Sequence, residues 1–101
     1  MTDLSEHFEA TLLRAQATLS TLDITFWENK LSSLSERLKA GDSPASVARQ
    51  VKALYGGFGS ILDNGVDATN VPKGMSTREA NALLFHSLSE LYQAADALTE
   101  R

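Results

Sequence analysis

Three groups of residues in this 101-residue chain have types that could do chemistry. The first is Leu54-Tyr55-Gly56-Gly57-Phe58-Gly59-Ser60, with three glycines in four positions and a serine after them. Closely spaced glycines leave backbone N–H groups open, and such groups can cradle an anion. A phosphate loop also needs a lysine and a hydroxyl residue directly after its last glycine. Here Gly59 is followed by Ser60 and Ile61. The dinucleotide fingerprint G-x-G-x-x-G would start at Gly57, but its sixth place is Leu62, and the pattern before it is helical where a strand is required. The glycines therefore read first as a stop. Gly56 and Gly57 end a helix, Gly59 lets the backbone pass close to a neighbour, and Ser60 caps a short turn over residues 61–64. A small anion or a partner held at the open N–H groups is the competing reading.

The second group is His86 with Glu90, one helical turn apart, together with His7 between Glu6 and Glu9. Metal sites in helical bundles use two Glu-x-x-His pairs. One pair in reversed order and spacing falls short of that, so no metal is expected. Asp63, Asn64, Asp67 and Asn70 form the third group. With Asp63 as position 1 of a calcium loop, position 3 is Gly65 and position 12 is Gly74, where a bidentate Glu is required. These residues read as turn formers, because their short side chains bond their own backbone. The eleven serines include no G-x-S-x-G elbow. The absence of cysteine excludes disulfides, thiolate nucleophiles and thiolate-bound zinc. No catalytic residue and no cofactor is expected.

The elements that must position these residues are helical. Leu4, Phe8, Leu12, Ala15, Leu19 and Leu22 recur every three or four residues, one stripe on a helix over about 4–21. Thr2 or Asp3 caps its start. Phe26 continues that stripe, while Trp27, Leu31, Leu34 and Leu38 make a second one, rotated by about 100°, one residue's turn. A break near residue 23 follows, with Asp23 capping a second helix over about 24–40; one long kinked helix is the alternative. Phe26 and Trp27 are adjacent and point to different faces, so one is expected in the core and the other either packs under the Gly-rich turn or is exposed, where it would mark a contact surface. Gly41 fits a left-handed helix end. Ser43 and Pro44 open a third helix, about 44–56, with Val47, Val51, Leu54 and Tyr55 on one face. Ser76 and Glu79 form a capping box that opens the last helix, with Ala80, Leu84, Ser87/Leu88, Leu91, Ala95 and Leu98 as its stripe. That helix spans about 35 Å.

Composition bounds the rest. The charged fraction is 22% and the net charge is −4, which suits a globular domain and a basic partner better than a nucleic-acid backbone. The first ten residues have no apolar core for a signal peptide, and no apolar run approaches the ~20 residues of a membrane span. The expected location is cytoplasmic.

The stretch 54–63 also resembles a family of small uncharacterised bacterial helical proteins. Its members carry Leu-[Phe/Tyr]-Gly-Gly-Met-Gly-Ser, then a short apolar stretch and an acid. Leu54, Tyr55, Gly56, Gly57, Phe58, Gly59 and Ser60 match it, and Asp63 follows. Phe58 stands where Met is usual, and residues 61–65 replace the usual Asn-Asp-Leu ending. The resemblance extends to the closing helix, residues 80–98. It implies a single-domain cytoplasmic protein, and some similar small acidic bacterial proteins are immunity proteins against toxins.

The expectation is an all-α fold, one domain over 1–101, an antiparallel four-helix bundle with a Gly-rich turn after the third helix. The expected function is a non-enzymatic protein-interaction module, in its sharpest form an immunity protein, with a protein partner and with neither nucleic acid nor membrane. Its interaction or structural motif is Tyr55, Gly56, Gly57, Phe58, Gly59, Ser60 and Asp63 with Trp27. A homodimer comes second, because Phe85 and Tyr92, seven apart, widen the apolar face of the last helix. A small-ligand binder or enzyme using the Gly56–Ser60 turn with His86 comes third.

Overall fold

The computed structural model describes residues 3–55 and 71–99. They form four helices: α1 (Leu4–Thr21), α2 (Thr25–Lys39), α3 (Pro44–Ala53) and α4 (Thr77–Thr99). No strand occurs among the described residues. The helices pack in a ring, α1 on α2, α2 on α3, α3 on α4 and α4 on α1, an arrangement compatible with a four-helix bundle.

The helix starts follow from their caps. Asp3 accepts the Ser5 N–H at 3.0 Å and caps α1. Ser43 caps α3 with Pro44 in its first turn, where a missing N–H costs nothing. At α4 the capping box is complete. The Glu79 N–H donates to Ser76 Oγ at 3.1 Å, and the Ser76 N–H donates to Glu79 Oε1 at 3.2 Å.

The helix ends repeat one device. After α1, the Asp23 N–H donates to the Ser20 carbonyl and the Ile24 N–H to the Leu19 carbonyl, at 3.1 and 2.8 Å. After α2, the Gly41 N–H donates to the Leu38 carbonyl and the Asp42 N–H to the Arg37 carbonyl, at 3.1 and 3.0 Å. Both are Schellman ends, which need a left-handed residue one position past the cap. Gly41 supplies it at φ 105°, as its type predicts. Asp23 supplies the other at φ 59°. Asp23 is therefore not the cap of α2, as the sequence suggested. It terminates α1, and Ile24 stands at the α2 N-cap without a side-chain hydrogen bond. The break thus makes two helices and not one kinked one. Helix α3 also stops earlier than expected. Its last turn tightens at Leu54 and Tyr55, whose N–H groups bond carbonyls three residues back.

The core follows the two stripes. Phe8, Leu12, Ala15, Leu19 and Leu22 of the α1 segment are buried with Trp27, Leu31 and Leu34 of α2. Val47, Ala48 and Val51 of α3 and Ala80, Leu84, Leu88, Leu91, Ala94, Ala95 and Leu98 of α4 complete it. Of the aromatic neighbours, Trp27 is core, and Phe26, assigned by its spacing to the α1 stripe, is 62% exposed. The Schellman turn rotates α2 by one residue and carries Phe26 outward. Val71 leads into a turn at Pro72–Met75, where Gly74 takes the positive φ of 87° that its third position requires.

Candidate functional site

Polar side chains gather on both flanks of α4. Toward α3, the Tyr55 hydroxyl donates to the Leu88 carbonyl at 2.8 Å. Its ring stacks edge-on against Tyr92 at 5.0 Å between centroids. Burial, and then the neighbouring Tyr92, push the Tyr55 phenol well above the usual tyrosine range, so it stays a protonated donor. One turn earlier on α3, Lys52 Nζ donates to Asp96 Oδ1 at 2.6 Å and to Thr99 Oγ1 at 3.1 Å, and lies 5.7 Å from the Tyr92 ring centroid. Residue numbers run in opposite senses along this seam, 52 beside 96 and 55 beside 88.

Toward α1, the seam opens into a groove of about 340 Å³ lined by Thr11, Arg14, Ala17, Thr18 and Thr21 of α1 and Leu83, His86, Ser87 and Glu90 of α4. Its floor is made of hydroxyl residues at helical spacing. Thr11 donates to the Phe8 carbonyl at 2.8 Å and Thr18 to the Arg14 carbonyl at 3.0 Å. Thr18 Oγ1 also lies 2.8 Å from Ser87 Oγ. Thr18 has one hydroxyl proton, already given to Arg14, so Ser87 is the donor in that pair. Above the floor, Glu90 meets two side chains. Its Oε2 accepts from Arg14 Nη1 at 3.0 Å, and its Oε1 lies 2.5 Å from His86 Nε2.

The sequence-predicted residues separate. Tyr55 anchors α3 to α4, and Trp27 is a buried core residue with Phe26 edge-on against it at 4.9 Å. Lys30 lies 5.5 Å from the centroid of the exposed Phe26 ring. Gly56, Gly57, Phe58, Gly59, Ser60 and Asp63 lie outside the described residues, as do Asn64, Asp67 and Asn70. His86 and Glu90 do share a face, but the third member of their cluster is Arg14, a cation, and not His7. No group of three His, Asp or Glu placed to hold a metal exists among the described residues. The groove itself was missed. Its signal was present in Thr11 and Thr18, hydroxyl residues seven apart at the edge of the α1 stripe, and in Ser87 on the α4 stripe.

No helix among the described residues is long and apolar enough to cross a membrane. No protein-family model, curated protein or solved structure matches the chain.

Proposed function

We propose that the chain is a non-enzymatic protein-interaction module of the bacterial cytoplasm. It would be an antiparallel four-helix bundle with its Gly-rich turn after α3, related to the family that Leu54–Ser60 resembles. The observation that carries this reading is a pair of large exposed aromatics. Phe26 is 62% and Phe85 67% exposed, on a small domain whose charge is −4. A phenylalanine left in water forgoes roughly 1.5–3 kcal/mol of burial, which a partner can recover. An acidic domain is steered toward a basic partner, and binding an immunity protein to a toxin is the sharpest form of this reading.

Photo-crosslinking groups placed in turn at Phe26, Phe85 and Leu83, followed by capture from the source cells, test it. A stoichiometric basic protein released by high salt is the expected result. Capture of nothing at any position would remove the reading.

A homodimer is the second reading, favoured by Phe85 and Tyr92 on one face of α4, 67% and 38% exposed. Light scattering showing only monomer at high concentration would exclude it. The ligand or enzyme reading at Gly56–Ser60 rests on residues outside those described. Its partner residue His86 sits in the α1/α4 groove, hydrogen-bonded to Glu90.

A further inference from the structure

Helix α4 carries a second pattern on the side turned away from the core. Arg78, Ala82, Phe85, Ser89, Tyr92 and Asp96 follow one another at intervals of 4, 3, 4, 3 and 4. Residues at that spacing share one stripe of a helix, the seam spacing of a coiled coil. The stripe runs about 27 Å, five turns of helix. Arg78, Ala82, Phe85 and Tyr92 are exposed along it, and Ser89 and Asp96 are partly buried. Tyr92 is already held in place, edge-on against Tyr55 at 5.0 Å and with Lys52 Nζ 5.7 Å from its ring centroid. An anchor fixed in advance gives up little freedom on binding.

The spacing reads the same in both directions, so the stripe can face a reversed copy of itself. Phe85 then meets Ser89 of the second copy, Tyr92 meets Ala82, and Arg78 meets Asp96. Each aromatic ring has a small residue opposite, and each charge has its opposite. A two-fold axis makes every one of these contacts twice. In a parallel pair Arg78 would face Arg78 and Asp96 would face Asp96, which like-charge repulsion opposes. Lys52 already donates to Asp96 Oδ1 at 2.6 Å, so Arg78 comes as the second cation on that carboxylate, toward Oδ2. The charges therefore fix direction, while the two aromatic layers supply the burial. One cation and one anion leave the stripe neutral in a chain whose net charge is −4, so two copies can meet there.

We infer that α4 docks a second copy of this chain along the stripe, antiparallel, with Phe85 over Ser89 and Tyr92 over Ala82. This rests on the homodimer reading, and it names the face, the direction and the register. The occupant is the chain itself because what each layer needs opposite it stands in the same stripe, in reverse order.

The test uses the full chain, which has no cysteine, so introduced cysteines report alone. Sedimentation at rising concentration is expected to show monomer passing into dimer. Oxidation of a mixture of Ala82→Cys and Tyr92→Cys copies should give a disulfide-linked dimer, which needs Cα atoms within about 7 Å. Either variant alone should not cross-link, because its two cysteines stand about 15 Å apart along the axis. Arg78→Asp should weaken the dimer by about tenfold. A dimer in which either variant cross-links alone, the mixture fails to cross-link, or Arg78→Asp changes nothing would overturn this register and leave the homodimer reading standing. A chain that stays monomeric at every concentration removes both.

Discussion

On its α3 flank, α4 is fastened by a partly buried phenol on a backbone carbonyl and by an amine set between a carboxylate and a hydroxyl. On its α1 flank, it meets hydroxyls that mostly bond their own helix, under a charged cluster at the surface. Both seams belong to the same helix and to the same core, yet one is closed by side chains that reach across and the other stays open as a groove. The difference lies in side-chain length. Tyr55 and Lys52 span the gap to α4, whereas Thr11, Thr18 and Ser87 are too short to fill theirs. Long amphipathic side chains seal a seam while keeping their polar ends satisfied. Short hydroxyls satisfy themselves locally and leave space above.

The largest expected contrast comes from deleting one side chain in each seam. Tyr55→Ala should cost about 3–5 kcal/mol, the range for removing a large packed aromatic. Thr18→Ala should cost no more than about 1–2 kcal/mol, because it removes only one methyl and one hydroxyl from a buried position. Urea unfolding of the two variants measures both. Equal losses would mean that the α1 seam is packed as tightly as the α3 seam.

Removing only the phenol oxygen isolates the hydrogen bond. Tyr55→Phe should cost about 1 kcal/mol near neutral pH. It should also change the alkaline limb of stability. The folded pKa of Tyr55 lies above the ordinary tyrosine value, so folding favours the protonated phenol. Its contribution is then fully present below about pH 10, where the unfolded chain begins to ionise, and is lost as pH climbs toward the folded value. Unfolding free energies measured from pH 8 to pH 11.5 should fall with less slope in Tyr55→Phe. Identical slopes would mean that the phenol is not buried.

On the open seam, Thr18→Val removes the hydroxyl that serves both Arg14 and Ser87. The loss should stay below about 1 kcal/mol, since water can reach Ser87 from the groove and replace the bond. A larger loss by calorimetry would show that the floor is dry and closed.

How much of this was legible follows from the range of each signal. The stripes at 4–22, 27–38 and 80–98 are local, and the helices and most of the core follow them. Capping boxes and glycine ends are local too, so Ser76, Glu79 and Gly41 were readable. Asp23 was not, because an Asp fits both a helix start and, less often, a left-handed helix end. What decided was the bond from the Ile24 N–H back to the Leu19 carbonyl, and Phe26 was misplaced as a consequence. The groove required Arg14 to meet Glu90 across 76 positions, and no spacing rule reaches that far. Of the expected motif, Tyr55 has a structural task in the α3 seam and Trp27 a place in the core.

Arg14 gives the smallest effect and the sharpest test of the contrast. Its bond to Glu90 is a surface ion pair with side chains 61% and 33% exposed. Such pairs are worth about 0–1 kcal/mol and weaken as salt rises. Arg14→Ala should therefore shift the urea midpoint slightly at low salt and not at all near 1 M, where screening shortens to about 3 Å. Lys52→Ala, in the half-buried pair with Asp96, should keep most of its cost at the same salt. If Arg14 proves as costly to remove as Lys52 at high salt, it is a structural bolt, and the two seams are alike. If it proves nearly neutral, a guanidinium stands over an open groove without being needed to hold the helices together, and the donors it does not give to Glu90 face solvent.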